Sequence, residues 1–139
     1  FVLRLVPGPH SRLFPQETHE TLFNSVYRVQ PASDRMGVRL EGRPLVYTDG
    51  EILSQGIVPG AMQVPRSGEP IILTVERQPT GGYPIIGVVI TPDLGLLGQL
   101  KPGDDVIFRR VEFPTARRLT KRFLRALYGH TTAVQAVIS

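Results

Sequence analysis

Short apolar runs separated by Gly- and Pro-rich turns recur along the whole chain. Met36, Val38 and Leu40 alternate with glycine or charged residues, which predicts a strand with one face in water. Residues 85–90 are β-branched apart from one glycine, which is typical of a strand buried on both faces. Further strands are predicted over residues 1–6, 27–30, 45–47, 61–64, 70–75 and 106–111.

Helical spacing of apolar residues is confined to three segments, over residues 15–26, 91–100 and 114–129. The first carries Glu17 in its first turn, where an acidic side chain interacts favourably with the helix dipole. Pro114 stands at the start of the last segment and Gly129 at its end, positions that suit these residue types. Because the helices are few and short, the chain is predicted to be mainly β, either a barrel or a sandwich.

The chain of 139 residues contains no low-complexity linker, and one core of this size buries roughly two thirds of the unfolded surface. Residues 1–113 are predicted to form the barrel domain. Residues 114–139 are predicted to form a C-terminal basic helix and tail, packed on or beside the barrel. Since the chain opens directly on a strand-like run with no secretory signal, we expect further sequence upstream.

The net charge of +4 is distributed unevenly along the chain. Residues 1–113 hold 11 Lys and Arg against 12 Asp and Glu, whereas residues 114–139 hold five basic and no acidic residues. Residues 1–113 have no excess of positive charge, which is not typical of a nucleic-acid-binding domain. No apolar run reaches the roughly 20 residues of a membrane helix. The absence of cysteine excludes disulfides and thiolate chemistry, so we expect a cytoplasmic location.

The segment from Ser54 to Tyr83 has the most constrained backbone, with five glycines and four prolines around two strand-like runs. Three further motifs accompany it: Ser33-Asp-Arg-Met-Gly37, Arg39-Leu-Glu-Gly42 and Gln99-Leu-Lys-Pro-Gly-Asp104. In this order the four motifs resemble the allophanate hydrolase subunit 2 family, also called the biotin-dependent carboxyltransferase family. That family includes the C subunit of bacterial 5-oxoprolinase, part of urea carboxylase, and an antagonist of a kinase inhibitor.

The resemblance implies a cyclophilin-like closed β-barrel with a few short helices, corresponding to the second half of a longer family chain. It also implies two partners, a subunit 1 type protein and the missing N-terminal half. ATP would bind a partner subunit, and biotin would arrive as carboxybiotin carried by a partner. We expect no nucleic-acid or membrane partner, and the three scattered histidines predict no metal site.

Carboxyl transfer needs a dry pocket, donors for a developing oxyanion and a group that manages the acceptor's proton. On the basis of this resemblance, Asp34 beside Arg35 would supply a base, and the planar guanidinium group of Arg77 would bind a carboxylate. Residues 80–83 offer two backbone N–H groups, a hydroxyl and a ring. We therefore predict catalytic roles for Asp34, Arg35 and Arg77, and substrate-binding roles for Ser33, Gln63, Gln78, Thr80, Gly81, Gly82 and Tyr83.

Each of these residues also has a purely structural interpretation. Asp34 would equally well cap the turn before its strand, and Gly81-Gly82 is a sequence that is common in tight turns. Gln63 would then satisfy barrel backbone groups, and Arg77 would form an exposed ion pair of little energetic value.

The function predicted from the resemblance is that of a component of a biotin-dependent carboxyltransferase or 5-oxoprolinase-type complex. Its substrate would be a small amide or lactam, with ATP-dependent hydrolysis of 5-oxoproline favoured, and the chain would be inactive alone. The alternative is a regulatory module that antagonises a histidine-kinase inhibitor by binding the subunit 1 type partner. Prolyl isomerisation follows only from the implied topology, which is a weak basis for function.

Overall fold

The computed structural model describes residues 1–34, 36–48, 52, 55–56, 58–74 and 80–129, with the backbone alone at 55–56 and 80–81. The described strands are β1 (Val2–Pro7), β2 (Tyr27–Val29), β3 (Gly37–Glu41), β4 (Gln55–Gly56), β5 (Ala61–Gln63), β6 (Ile71–Leu73), β7 (Thr80–Gly81), β8 (Ile85–Val89) and β9 (Asp105–Arg110). The helices are α1 (Gln16–Asn24), α2 (Leu94–Leu97) and α3 (Phe113–Tyr128), with 3₁₀ turns at Ser11–Leu13 and Thr91–Asp93.

Seven of these strands close into a barrel in the order β1-β8-β5-β6-β3-β2-β9. The closing contact between β9 and β1 is parallel, whereas the other barrel neighbours are antiparallel. β4 and β7 form a separate two-stranded ribbon. The predicted mainly β closed barrel is therefore confirmed.

The two ends of the barrel are built from different connections. At one end, here called the α1 end, β1 leads into α1 and β5 turns back into β6. At the other, the α2 end, β2 turns into β3 and β8 leads into α2. Because the barrel strands are only three to six residues long, the loops and short helices at the two ends supply much of each end's surface.

The barrel interior is filled by side chains from every barrel strand. The core cluster is Leu3, Leu5, Phe14, Leu22, Tyr27, Val29, Val38, Leu40, Leu45, Met62, Val64, Ile72, Ile86, Val89, Leu97, Val106 and Phe108. Tyr27 is fully buried, and its hydroxyl donates to the Arg43 carbonyl at 2.9 Å. Burial raises the pKa of Tyr27 to about 12, so the phenol stays protonated as a hydrogen-bond donor.

Strand β8 shows why residues 85–90 are so uniformly apolar. Ile86 faces the barrel interior, while Ile85 packs with Ala61 and Leu73 in a second buried cluster. Both faces of β8 therefore lie against apolar side chains, as the sequence predicted, with Val88 half-buried.

The predicted strand over residues 45–47 is wrong, because these residues form no strand. Leu45 is fully buried and its N–H donates to the Gly68 carbonyl at 2.9 Å. Pro44, which lacks an N–H, precedes it. The apolar pattern here reflects a loop that packs on the core rather than a ladder of backbone hydrogen bonds.

Helix α3 begins at Phe113 and runs to Tyr128, close to the predicted limits. Gly129 follows with a φ of +64° and donates its N–H to the Arg125 carbonyl at 2.9 Å. Ala116 is buried, and α3 lies near the Thr91–Asp93 turn. The division into a barrel domain and a C-terminal helix with tail stays a prediction, and residues 130–139 lie outside the described residues.

Within the described ranges, no helix is both long enough and apolar enough to cross a membrane.

Candidate functional site

A cleft of ≈ 610 Å³ opens at the α2 end of the barrel; it is called the α2-end cleft below. Among the described residues that line it, most are apolar or glycine, and the polar ones are Ser33, Asp34 and Thr74. The remaining lining residues are Val29, Val38, Pro59, Leu94, Gly95, Leu97, Gly98, Leu100 and Pro102. An apolar cleft with few convergent polar groups is the usual character of a small-molecule site.

Ser33 is held in this cleft by backbone hydrogen bonds. Its hydroxyl accepts from the Arg39 N–H at 2.9 Å and donates to the Arg39 carbonyl at 3.1 Å. β2 ends at Val29, so the Ser33 side chain satisfies the edge of β3 beyond that point. Ser33 therefore fixes the course of the β2–β3 loop along one wall of the cleft.

Asp34 caps the same loop. Its Oδ1 accepts from the N–H groups of Met36 and Gly37 at 2.9 and 3.1 Å, and its own N–H donates to the Gly37 carbonyl at 3.1 Å. The capping interaction considered from the sequence is present, and a catalytic role for the carboxylate stays a prediction. Arg35 lies outside the described residues.

An ion pair that the sequence pattern did not predict anchors the α2 wall. Asp93 is 5% exposed and accepts from three donors of Arg4: N at 2.8 Å, Nε at 3.0 Å and Nη2 at 2.7 Å. The hydrogen bonds to Asp93 raise the pKa of Arg4, although burial opposes that shift. Because α2 starts at Leu94, this pair ties the cleft wall to β1.

Gln63, Gly82 and Tyr83 lie towards the opposite end of the barrel. Gln63 is 7% exposed at the last residue of β5, and Gly82 and Tyr83 are exposed just before β8. Thr80 and Gly81 form β7, whose backbone pairs with β4. Ser33 and Asp34 thus share one cleft, whereas Gln63, Gly82 and Tyr83 do not line it.

Arg77 and Gln78 lie outside the described residues, so the site roles of both stay predictions. The roles of the seven described or partly described site residues stay predictions as well. Among the residues that the structure describes, no group of three or more His, Asp or Glu side chains is placed to hold a metal ion.

Comparison with known proteins gives a consistent result. The family model described as carboxyltransferase domain, subdomain A and B, matches residues 1–110. The chain is similar to the C subunit of 5-oxoprolinase from Escherichia coli (strain K12), with 39% identity over 107 residues, 76% of this chain and 34% of that protein. It is similar to the C subunit of 5-oxoprolinase from Haemophilus influenzae (strain ATCC 51907 / DSM 11121 / KW20 / Rd), with 38% identity over 122 residues, 87% of this chain and 40% of that protein.

A solved structure extends the likeness to three dimensions. The crystal structure of Kluyveromyces lactis urea carboxylase superimposes with a TM-score of 0.83 and 26% identity, covering 96% of this chain and 13% of that chain. The present chain spans 34 and 40% of the two curated relatives, so it corresponds to a part of each. The residues matched by the family model, 1–110, end before α3 begins at Phe113. The family model covers most of the chain, and the chain therefore belongs to the carboxyltransferase domain family, subdomain A and B, as its four motifs predicted.

Proposed function

We propose that this chain is a component of a 5-oxoprolinase-type or biotin-dependent carboxyltransferase complex, with ATP-dependent hydrolysis of 5-oxoproline as the favoured reaction. The observation that carries the proposal is the family match over residues 1–110, joined by two relatives that are C subunits of 5-oxoprolinase. The solved relative is named urea carboxylase. Amide or lactam substrates are therefore the proposed class.

The α2-end cleft is the proposed substrate site. Its apolar wall would exclude water from a small lactam ring, and a dry site strengthens any polar interaction made inside it. Asp34 stands at the rim, where its carboxylate would manage a proton of the acceptor. Arg35, Arg77 and Gln78 lie outside the described residues and stay predicted site residues.

The rest of the reaction is assigned to partners. We propose a subunit 1 type protein and the remaining N-terminal part of a longer family chain, with ATP bound by a partner subunit. If carboxybiotin is used, the apolar wall of the α2-end cleft would hold its ring, and carboxyl transfer is the chemistry it would supply. This chain's own contribution is to bind and orient the acceptor.

Reconstitution tests this function directly. The full-length protein is combined with its subunit 1 type partner, and ADP and glutamate are measured with 5-oxoproline and ATP present. We expect turnover that disappears when either protein is omitted. A stable complex that shows no turnover with 5-oxoproline or with urea would reject the enzymatic role and favour the regulatory module.

The role of Asp34 is separable from its capping bonds. Asp34→Asn keeps an oxygen that accepts from the Met36 and Gly37 N–H groups, but it removes the carboxylate. If Asp34 manages a proton, turnover falls by roughly 100-fold or more while the unfolding midpoint moves little. If turnover is unchanged, Asp34 is a cap alone.

A further inference from the structure

A second cleft, of ≈ 250 Å³, lies at the α1 end of the barrel, away from Ser33 and Asp34. It is called the α1-end cleft below. Its floor is apolar, because Leu5, Phe14 and Ile86 line it and are almost fully buried. The volume equals about eight water molecules at their liquid volume, and it lies below the range of about 300–1,000 Å³ typical of drug-sized ligands. The cleft therefore suits a small metabolite.

Two arginines line this cleft from elements that are remote in sequence. Arg12 lies in the 3₁₀ turn Ser11–Leu13, and Arg110 is the last residue of β9. Val106 and Phe108 face the barrel core from β9, and Arg110 continues this alternating series past the end of the core. The fold thus brings both guanidinium-bearing side chains to one opening.

The charge of the lining favours an anion. Neither Asp nor Glu is among the described residues that line the α1-end cleft. Arg110 Nε does contact Glu112 Oε1 at 3.1 Å, but the two side chains are 52 and 64% exposed. Exposed pairs of this kind contribute little, so a carboxylate from a ligand can compete with Glu112.

His19 helps to position the arginine on the 3₁₀ turn. Its Nε2 donates to the Ser11 carbonyl at 2.9 Å, since a carbonyl oxygen can only accept. The ring of His19 also packs edge-on against Phe14, with centroids 6.2 Å apart. These contacts tie α1 to the turn that carries Arg12.

We propose that the α1-end cleft binds a small monocarboxylate, with its apolar body on the floor and its carboxylate between Arg12 and Arg110. The planar guanidinium fork matches a carboxylate in geometry. Inorganic phosphate offers the same charge chemistry but has no apolar part to cover Leu5 and Ile86. The site is separate from the proposed substrate cleft, so it stands whether or not this chain acts on 5-oxoproline.

The test is a calorimetric and NMR titration of the full-length protein with butyrate and benzoate. Butyramide and benzamide serve as uncharged partners of the same shape, and inorganic phosphate serves as the anion without an apolar body. We expect at least one carboxylate to bind at least about tenfold more tightly than its amide, which corresponds to about 1.4 kcal/mol. Amide signals of Ser11 and Gly87, which line the cleft, should shift.

Variants locate the binding. Arg12→Gln and Arg110→Gln should each weaken carboxylate binding about tenfold, since each removes charge-assisted hydrogen bonds. Glu112→Gln should strengthen it about two- to fivefold, because the competing carboxylate is gone. Arg109→Gln is the matched control, since Arg109 is exposed on β9 and does not line the cleft; it should leave binding unchanged.

Several results would overturn the proposal. They are equal binding of carboxylate and amide, binding of phosphate without either carboxylate, or binding of neither carboxylate. Loss of binding in Arg109→Gln equal to that in Arg12→Gln would also do so, because it would indicate general charge attraction. The variants are at exposed side chains, and unchanged NMR spectra outside the cleft verify that each has folded.

Discussion

Replacing Asp93 by alanine removes the acceptor for three hydrogen bonds from Arg4, those from N, Nε and Nη2 at 2.8, 3.0 and 2.7 Å. The side chains of Arg4 and Asp93 are 33 and 7% exposed. Removing one partner of a buried pair costs about 3–5 kcal/mol. Because water reaches the remaining guanidinium of Arg4, we expect the lower end, about 3 kcal/mol.

Companion variants separate charge from hydrogen bonding. Asp93→Asn keeps an oxygen for the Arg4 N–H but loses the negative charge, so we expect an intermediate loss of about 1.5–2 kcal/mol. The double variant Arg4→Met/Asp93→Asn removes both charges while keeping that backbone hydrogen bond. It should lose less stability than Asp93→Ala alone, since no unpaired charge remains at the site.

Urea unfolding followed by circular dichroism measures these differences as midpoint shifts at a constant slope. The thermal midpoint of Asp93→Ala should fall on the order of 10 °C. Arg28→Met is the control, because the Arg28–Asp105 pair spans 3.5 Å and both side chains are 61% exposed; it should lose less than about 1 kcal/mol. If Asp93→Ala loses no more than Arg28→Met, the anchoring role of the pair is refuted.

Two further predictions concern the loops at the barrel ends. Burial lowers the pKa of His10 below its ordinary 6.5, and its Nδ1 accepts from the Ile85 N–H at 3.0 Å. The contribution of neutral His10 to the free energy of unfolding should therefore be complete above pH 6.5 and should decrease as the pH drops through 6.5 towards the folded pKa. Urea titrations from pH 8 to 5 should show a flatter profile for His10→Gln, and an equal slope would contradict this. Gly60→Ala should cost about 2–3 kcal/mol, because φ is +89° and a Cβ would lie 3.0 Å from the Val89 carbonyl oxygen. Gly103→Ala has a similar φ of +92° but no described atom within 4 Å of its Cβ, so it should lose less stability. Equal losses in the two variants would contradict a destabilising contact at Gly60.

Much of the barrel was predictable because its strands carry local signals. Ile85–Val89 is apolar and, apart from Gly87, β-branched because both of its faces are covered, one by the barrel core and one by the cluster with Ala61 and Leu73. The helix from Phe113 to Tyr128 was bounded by Pro114 and Gly129, whose backbone preferences act within a few residues. The strand predicted at Leu45 was wrong because a buried loop residue and a buried strand residue are equally apolar, so the hydrophobic pattern does not distinguish them.

The arrangement of the site was harder to predict, because it depends on strand direction and order. Asp34 and Gln63 both belong to motifs that were predicted to contribute to the site. Asp34 lies in the loop after β2 and Gln63 is the last residue of β5, and these two strands end at opposite ends of the barrel. The Arg4–Asp93 pair joins residues 89 positions apart and leaves no local signal. Only the parallel closure of β9 on β1 brings Arg110 towards the element that carries Arg12.

The most direct measurement is ATP-dependent 5-oxoproline turnover by the reconstituted complex carrying Gly95→Leu. Gly95 lines the α2-end cleft, and a Cβ there meets no described atom within 4 Å, so a larger side chain can start at this position and occupy the cleft. Gln99→Leu is the matched control, because Gln99 is exposed and does not line the cleft. If this cleft holds the substrate, Gly95→Leu loses about tenfold or more in kcat/KM while Gln99→Leu keeps its turnover. Equal turnover in the two variants would contradict the assignment of the substrate to the α2-end cleft.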